Sequence, residues 1–155
     1  MKKFLTVLYL LGFILLADNT QAQFKSVPAV VTDAFKAKYP QAANVKWSAG
    51  LQAATADFTM KGDPWTARYD NKGKWENSTR KISEERLPSP VKDGLAKSKY
   101  GGSEWKVKNV TERYLPPNKT EYELSVEKSG LEKRNLTFNS NGKLLKNAEI
   151  GRAHV

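Results

Sequence analysis

Two matching seven-residue stretches constrain what this chain can fold into more than any other feature. Tyr69-Asp70-Asn71-Lys72-Gly73-Lys74-Trp75 returns as Phe138-Asn139-Ser140-Asn141-Gly142-Lys143-Leu144. Each reads aromatic, Asp or Asn, two polar residues, Gly, Lys, large apolar residue. Asp or Asn at the start of a turn can hydrogen-bond the backbone beyond it, and glycine takes positive φ without steric cost. The pattern predicts a hairpin made of a type I turn followed by a left-handed glycine. In that register Asp70 sits opposite Lys74, Tyr69 opposite Trp75 and Arg68 opposite Glu76. Asn139 likewise faces Lys143, and Phe138 faces Leu144. Aromatic and apolar residues then share one face of a sheet, with polar residues on the other.

The flanking sequence repeats in the same order. Val27, Val30, Val31, Ala34 and Phe35 have the spacing of an amphipathic helix, with Ser26 placed to cap it and Pro28 suited to its first turn. Tyr39-Pro40 ends it, because proline disfavours helical geometry in the residue before it. Alternating segments follow around Val45 and Trp47, from Ala54 to Met60, from Trp65 to Tyr69, and from Trp75 to about Ile82. After a polar link at Ser83–Arg86, Leu87, Val91 and Leu95 stand 60 positions beyond Val27, Val31 and Phe35. Tyr100 echoes Tyr39, and Gly101-Gly102 takes over the stopping role of Pro40. Pro90 and Gly94 lower the helix propensity of this second segment. Trp105 and Val107, then Tyr122, Leu124 and Val126, then Leu136 and Phe138 continue the strand pattern, which ends near Ile150. The hairpins lie 69 positions apart and the helices 60, so the second half is longer. Tyr114–Lys119 is the natural place for part of the excess. The expected organisation is a duplicated helix-plus-four-strand unit over 23–82 and 83–150, an α+β fold with each helix packed on its own antiparallel sheet.

The first residues address the protein. Met1-Lys2-Lys3 precedes an apolar run from Phe4 to Ala17, and Thr20-Gln21-Ala22 offers a small-x-small cleavage site. This is the pattern of a secretory signal peptide over 1–22. The run is short for a membrane span of about 20 residues. Its loss leaves 133 of the 155 residues, with 151–155 as a flexible tail. The chain has no cysteine, which excludes disulfides, thiolate metal sites and thiol redox chemistry. The net charge is +10, and removing Lys2, Lys3 and Asp18 with the leader leaves +9. That balance favours anionic partners, or serves solubility through scattered lysines. Export, and the lack of zinc-finger or RNA-binding aromatic motifs, argue against nucleic acid.

No catalytic set can be assembled. The one histidine, His154, stands next to the last residue, where a general base is poorly fixed. Glu121, Glu123 and Glu127 fall on one face of one strand, with Lys119 and Lys128 close enough in sequence to neutralise them. Asp57 and Asp70 occupy polar strand positions with nothing to pair them as acid and base. No metal or cofactor site is expected. Trp47, Trp65, Trp75 and Trp105 read as core residues. Arg68, Lys74, Arg80 and Arg134 are the candidate binding residues, as a basic recognition face on the polar side of the sheet.

Val27-Pro28, Lys38-Tyr39-Pro40, Val45-Lys46-Trp47, Ala67-Arg68-Tyr69-Asp70, Gly73-Lys74-Trp75, Leu87-Pro88 and Asn141-Gly142-Lys143-Leu144 together resemble the PepSY-like family, also described as β-lactamase-inhibitor-like. The resemblance covers nearly all of the mature chain. It implies two tandem repeats whose sheets can join side by side, in an extracytoplasmic protein without an assigned reaction, and it assigns no functional residues. The expected function is non-enzymatic protein binding in the periplasm or outside the cell, as an inhibitor or modulator of an extracellular enzyme. The alternatives are a polyanion- or envelope-binding module and, more remotely, a hydrolase. Mass spectrometry of the exported protein should find Gln23 at its N-terminus; a chain that retains residues 1–22 contradicts the signal-peptide reading.

Overall fold

Pro28 and Pro88 open the two helices, and each hands its carbonyl to the first turn. Val31 N–H donates to Pro28 O at 3.0 Å, and Val91 N–H to Pro88 O at 2.9 Å. In this computed structural model, which describes residues 26–130 and 132–150, α1 spans Ala29–Lys38 and α2 spans Ser89–Lys97. No side chain caps either helix, so Ser26 does not act as a cap. Pro90 lies in the first turn of α2, where the missing N–H costs nothing, rather than weakening the helix interior. Segments 1–25 and 151–155 lie outside the described residues, and with them the expected signal peptide, the expected tail and His154.

Eight strands make up the rest: β1 (Ala43–Ala49), β2 (Ala53–Met60), β3 (Asp63–Asp70), β4 (Trp75–Ile82), β5 (Trp105–Leu115), β6 (Lys119–Lys128), β7 (Glu132–Asn139) and β8 (Leu144–Glu149). A 3₁₀ turn at Glu84–Arg86 follows β4. All eight form one antiparallel sheet in sequence order, β1 to β8. This corrects the expectation of an α+β fold with two helix-on-sheet units. The protein is mostly β, a single sheet with two short helices. The cause is a pairing that alternation within each half cannot reveal. β4 hydrogen-bonds to β5 from Ser78↔Tyr114 to Ile82↔Val110, so neither half keeps a free inner edge.

Directly opposed residues share a face, so the register maps both sides of the sheet. One row runs Phe58, Trp65, Arg80, Glu112, Tyr122, Phe138, Leu144 on the inner face, towards the helices. The adjacent row runs Lys46, Asp57, Thr66, Thr79, Arg113, Glu121, Asn139 on the outer face. Two separate cores form under the helices. Under α1, Phe35 fills the space above the small Ala54, Ala56 and Ala67 and meets Phe58 edge-on at 5.0 Å. Under α2, Leu95 and Val91 meet larger sheet residues, Leu124, Val126 and Leu136. Bulk on the helix is thus exchanged for bulk on the sheet at the same layer thickness. The extra length of the second half sits in β5 and β6, which are longer than β1 and β2 and turn at residues 116–118.

The hairpin motifs form as their residues dictate. Asp70 Oδ1 accepts from Lys72 and Lys74 N–H at 2.9 Å, and Asn139 Oδ1 from Asn141 and Lys143 N–H at 3.0 Å. Tyr69 pairs with Trp75 and Phe138 with Leu144. Gly73 (φ +83°) and Gly142 (φ +79°) supply the left-handed residue, and both have a second constraint. A Cβ on Gly73 would collide with the Val30 carbonyl, and one on Gly142 with the Pro90 carbonyl. Gly94 of α2 meets the Gly142 carbonyl from the other side. Each helix therefore rests its backbone directly on a hairpin turn.

Gly62 gives the matching control, since its φ is +82° but a Cβ there would meet open space. Gly62→Ala should cost about 1 kcal/mol, the strain of a left-handed alanine. Gly142→Ala should cost about 1–3 kcal/mol more, from overpacking against α2. Urea denaturation measures both, and equal losses would contradict the helix-on-turn contact.

Candidate functional site

The two faces of the sheet present different chemistry. The outer face carries no helix. Its central residues are polar: Thr55 and Asp57 on β2, Thr66 and Arg68 on β3, Asn77 and Thr79 on β4, Thr111 and Arg113 on β5, all exposed or half-buried. A cleft of about 560 Å³ crosses this side from β1 to β5, with Lys46, Asp57, Thr66, Thr79, Lys81 and Thr111 in its lining. Thr66 Oγ1 donates to Asp57 Oδ1 at 2.6 Å, which leaves Lys46 and Lys81 as its flanking cations. On β6, Lys119 neutralises Glu121 at 2.6 Å, and Lys133 of β7 lies 4.0 Å from Glu127. Among the described residues, no group of three or more acids or histidines could hold a metal ion.

The inner face is covered at both ends by the helices, and between them lie the inner sides of β4 and β5, where Ser78, Val110 and Glu112 are buried. Here a charged row runs through otherwise apolar surroundings. Glu112, 7% exposed, accepts from Arg80 Nε at 2.6 Å and from the Tyr122 hydroxyl at 3.1 Å. Arg80 also donates to Asp63 Oδ2 at 3.1 Å, and Arg86 grips both oxygens of Asp63 at 3.0 and 2.9 Å. The Arg80 guanidinium stands 5.0 Å from the Trp65 ring centroid, and Trp65 stacks on Tyr114 at 5.4 Å. Every charged member of this network thus has a partner, which a buried charge requires, whereas Trp65 Nε1 is buried without one. Burial, and then the Glu112 charge, pushes Tyr114 and Tyr122 up to about 12. The hydrogen bond from Arg86 leads the forces that hold Asp63 below the usual carboxylate value.

Each helix is also pinned at its C-terminal end by a tyrosine. The Tyr39 hydroxyl shares a 2.6 Å hydrogen bond with Ser78 Oγ, and Trp75 Nε1 donates to the same oxygen at 2.8 Å. Ser78 is fully buried and needs these partners. In the second half, Asn147 Nδ2 donates to the Tyr100 hydroxyl.

The four expected binding residues do not share a face. Arg68 is on the outer side, paired with Glu76 at 2.7 Å. Lys74 is exposed in the hairpin opposite Asp70. Arg80 points inward, because the register shifts between Arg68↔Asn77 and Tyr69↔Trp75 and leaves Glu76 as an extra residue. A bulge of one residue moves every following side chain to the other face. Arg134 shares an inner row with Val126 and Glu149, and reaches Glu149 at 3.3 Å. Glu112, Ser78 and Asn147 escaped the sequence reading. The alternation Val110, Glu112, Tyr114 carried a signal for the first, an acid in an apolar register, once residues 108–115 are taken as strand.

The fold can now be set beside known proteins. A family model described as "Putative beta-lactamase-inhibitor-like, PepSY-like" matches residues 52–146. The chain belongs to this family. Among solved structures it is similar to a DUF2874 family protein of Bacteroides ovatus, with 27% identity, a TM-score of 0.74, and coverage of 81% of this chain and 89% of that one. A Bacteroides eggerthii protein described as a "putative periplasmic" protein gives 26% identity and a TM-score of 0.71, over 81% and 90% of the two chains. A BLIP-like protein of Bacteroides fragilis shares the fold, with 24% identity and a TM-score of 0.76 over 86% and 93%. No curated protein matches the chain. No helix among the described residues is long and apolar enough to cross a membrane.

The shifted tyrosines give a measurable consequence. A tyrosine whose folded pKa is raised above the unfolded value contributes stability that is present below about pH 10. That contribution is lost as pH rises towards the folded value of about 12. Ultraviolet titration at the phenolate band should show Tyr114 and Tyr122 ionising near 12. In Glu112→Gln both should ionise at lower pH yet above 10, since burial is the larger cause. Unchanged titration in Glu112→Gln would contradict the network.

Proposed function

We propose that this protein is a non-catalytic binding protein of the periplasm or cell exterior that presents the outer face of its sheet to a protein partner. The observation that carries this reading is the open polar face, whose cleft of about 560 Å³ spans β1 to β5. An uncovered sheet side with alternating hydroxyls and charges, backed by helices on the other side, is a rigid platform suited to recognition. Lys46 and Lys81 at the cleft favour an acidic partner segment. Arg68 and Lys74 extend the same face, whereas Arg80 and Arg134 act from the inner side as parts of the scaffold.

The finer reading is that the partner is an extracellular enzyme that the protein inhibits or modulates. The family description and the BLIP-like neighbour support it. Periplasmic location is supported by the leader-like residues 1–22 and by the description of the Bacteroides eggerthii neighbour. We also read the chain as two tandem repeats, 23–82 and 83–150. Supporting this are the order of one helix and four strands on each side of residue 83, the tyrosine pins at Tyr39–Ser78 and Tyr100–Asn147, and the helix-on-turn glycines Gly73 and Gly142. A second reading, attachment to an anionic envelope polymer, is favoured by the charge of +10 and would weaken steeply with salt.

Photo-crosslinkers at Thr66 and Thr79, with controls at Asp33 and Lys97 on the helix side, separate these readings in intact cells. The outer positions should capture one protein while the controls do not. Capture from the helix side alone, or none from the outer face, would sink the proposal. Salt-sensitive binding to purified envelope polymer without a protein crosslink would favour the second reading.

A further inference from the structure

The inner face holds a second cleft of about 400 Å³ between the end of α1 and the β5–β6 turn. That volume is in the range of small-molecule sites. Its walls are aromatic: Tyr39, Trp65, Trp75 and Tyr114, all half-buried. Tyr39, Trp65 and Trp75 pack against the edge of the α1 core, and their half-buried sides line the cleft. They are also fixed before any ligand arrives. Ser78 holds Tyr39 and Trp75 through its two hydrogen bonds, and Trp65 is steadied by contacts with Arg80 and Tyr114. Fixed walls reduce the entropy lost on binding.

The rim sets the chemistry. Lys38 stands at the cleft with Asn118 and Thr120, and no acid lines it, while Lys119 at the rim is held by Glu121 at 2.6 Å. The Lys38 ammonium lies 3.8 Å from the Trp75 ring centroid, so that cation is already placed over an aromatic wall. Glu112, the nearby buried acid, is occupied by Arg80 and Tyr122. Aromatic faces accept the C–H face of a ring, amide and hydroxyl side chains serve ring hydroxyls, and the Lys38 ammonium selects a negative charge. We propose that this cleft is a binding site for an acidic saccharide unit, a sugar ring carrying a carboxylate. The site lies on the opposite side of the sheet from the protein-binding face and stands independently of it.

Spectra of the isotope-labelled protein test this through its four indole N–H resonances, assigned by Trp→Phe variants. Digalacturonate should shift Trp65 and Trp75 and leave Trp47 and Trp105 in place. Cellobiose, neutral and of the same size, should bind about tenfold more weakly, the loss of one charge-assisted hydrogen bond. Lys38→Ala should weaken digalacturonate to a similar degree while leaving the Trp47 and Trp105 resonances in place. Absence of shifts at millimolar digalacturonate would overturn the site. Equal binding of cellobiose would overturn the selection for charge, and tighter binding of benzoate would overturn the saccharide class.

Discussion

The pairing of β4 with β5 is the constraint on which the rest of the molecule depends. Without it each half is a small helix on four strands, with an exposed inner edge and a core of its own. With it the eight strands become one sheet, from Ala43 to Glu149. The pairing brings Arg80 opposite Glu112, and thereby places a charged pair in a row otherwise filled by Phe58, Trp65, Tyr122 and Phe138. The pair is tolerable because Asp63, Arg86 and Tyr122 complete its hydrogen bonds. A buried ion pair adds little net stability over apolar packing, yet loss of one partner strands the other. Its role at the seam is therefore to fix which strands meet, since a slip of one residue would bury Arg80 without Glu112.

Within each half the helix is positioned by two contacts that use different physics. Its first turn lies on the hairpin glycine, where the absence of a side chain lets backbones touch. Its C-terminal tyrosine reaches a polar residue of the fourth strand, Ser78 in one half and Asn147 in the other. Both helices are short, 10 and 9 residues, and would be marginal alone. Anchors at both ends, with Phe35 and Leu95 seated in the sheet between them, hold them in place. Between the anchored helices, Tyr39, Trp65, Trp75 and Tyr114 form the aromatic cleft of the inner face.

Much of this was legible in the residues. Period-two alternation located the strands, the Asp/Asn-to-Gly spacing gave both hairpin turns with their first pairs, though Arg68 faces Asn77 and not the expected Glu76, and the Val27 and Leu87 patterns gave both helices. Three things were not legible, each for a physical reason. The seam could not be read from alternation, since strand pairing between halves leaves no trace within a half, and only the family resemblance offered sheets joined side by side. The side on which Arg80 lies was misread because the bulge at Glu76 inverts parity, and nothing in Lys74-Trp75-Glu76 announces it. Gly94 looked like a helix weakness because propensity sees the backbone of one element only, whereas its contact with Gly142 lies between elements.

The faces that result divide the labour. The helix side is scaffold plus a small aromatic cleft, and the outer side is free to meet a partner as a stiff, polar, eight-stranded surface. That division holds only if the sheet is one cooperative body. Hydrogen exchange across a denaturant series, followed at core amides of β2 and β3 and of β6 and β7, tests this most directly. A single sheet coupled through β4 and β5 predicts that both sets converge on one global opening with the same denaturant dependence. Two separate openings, one for each half, would show that the seam does not unite them.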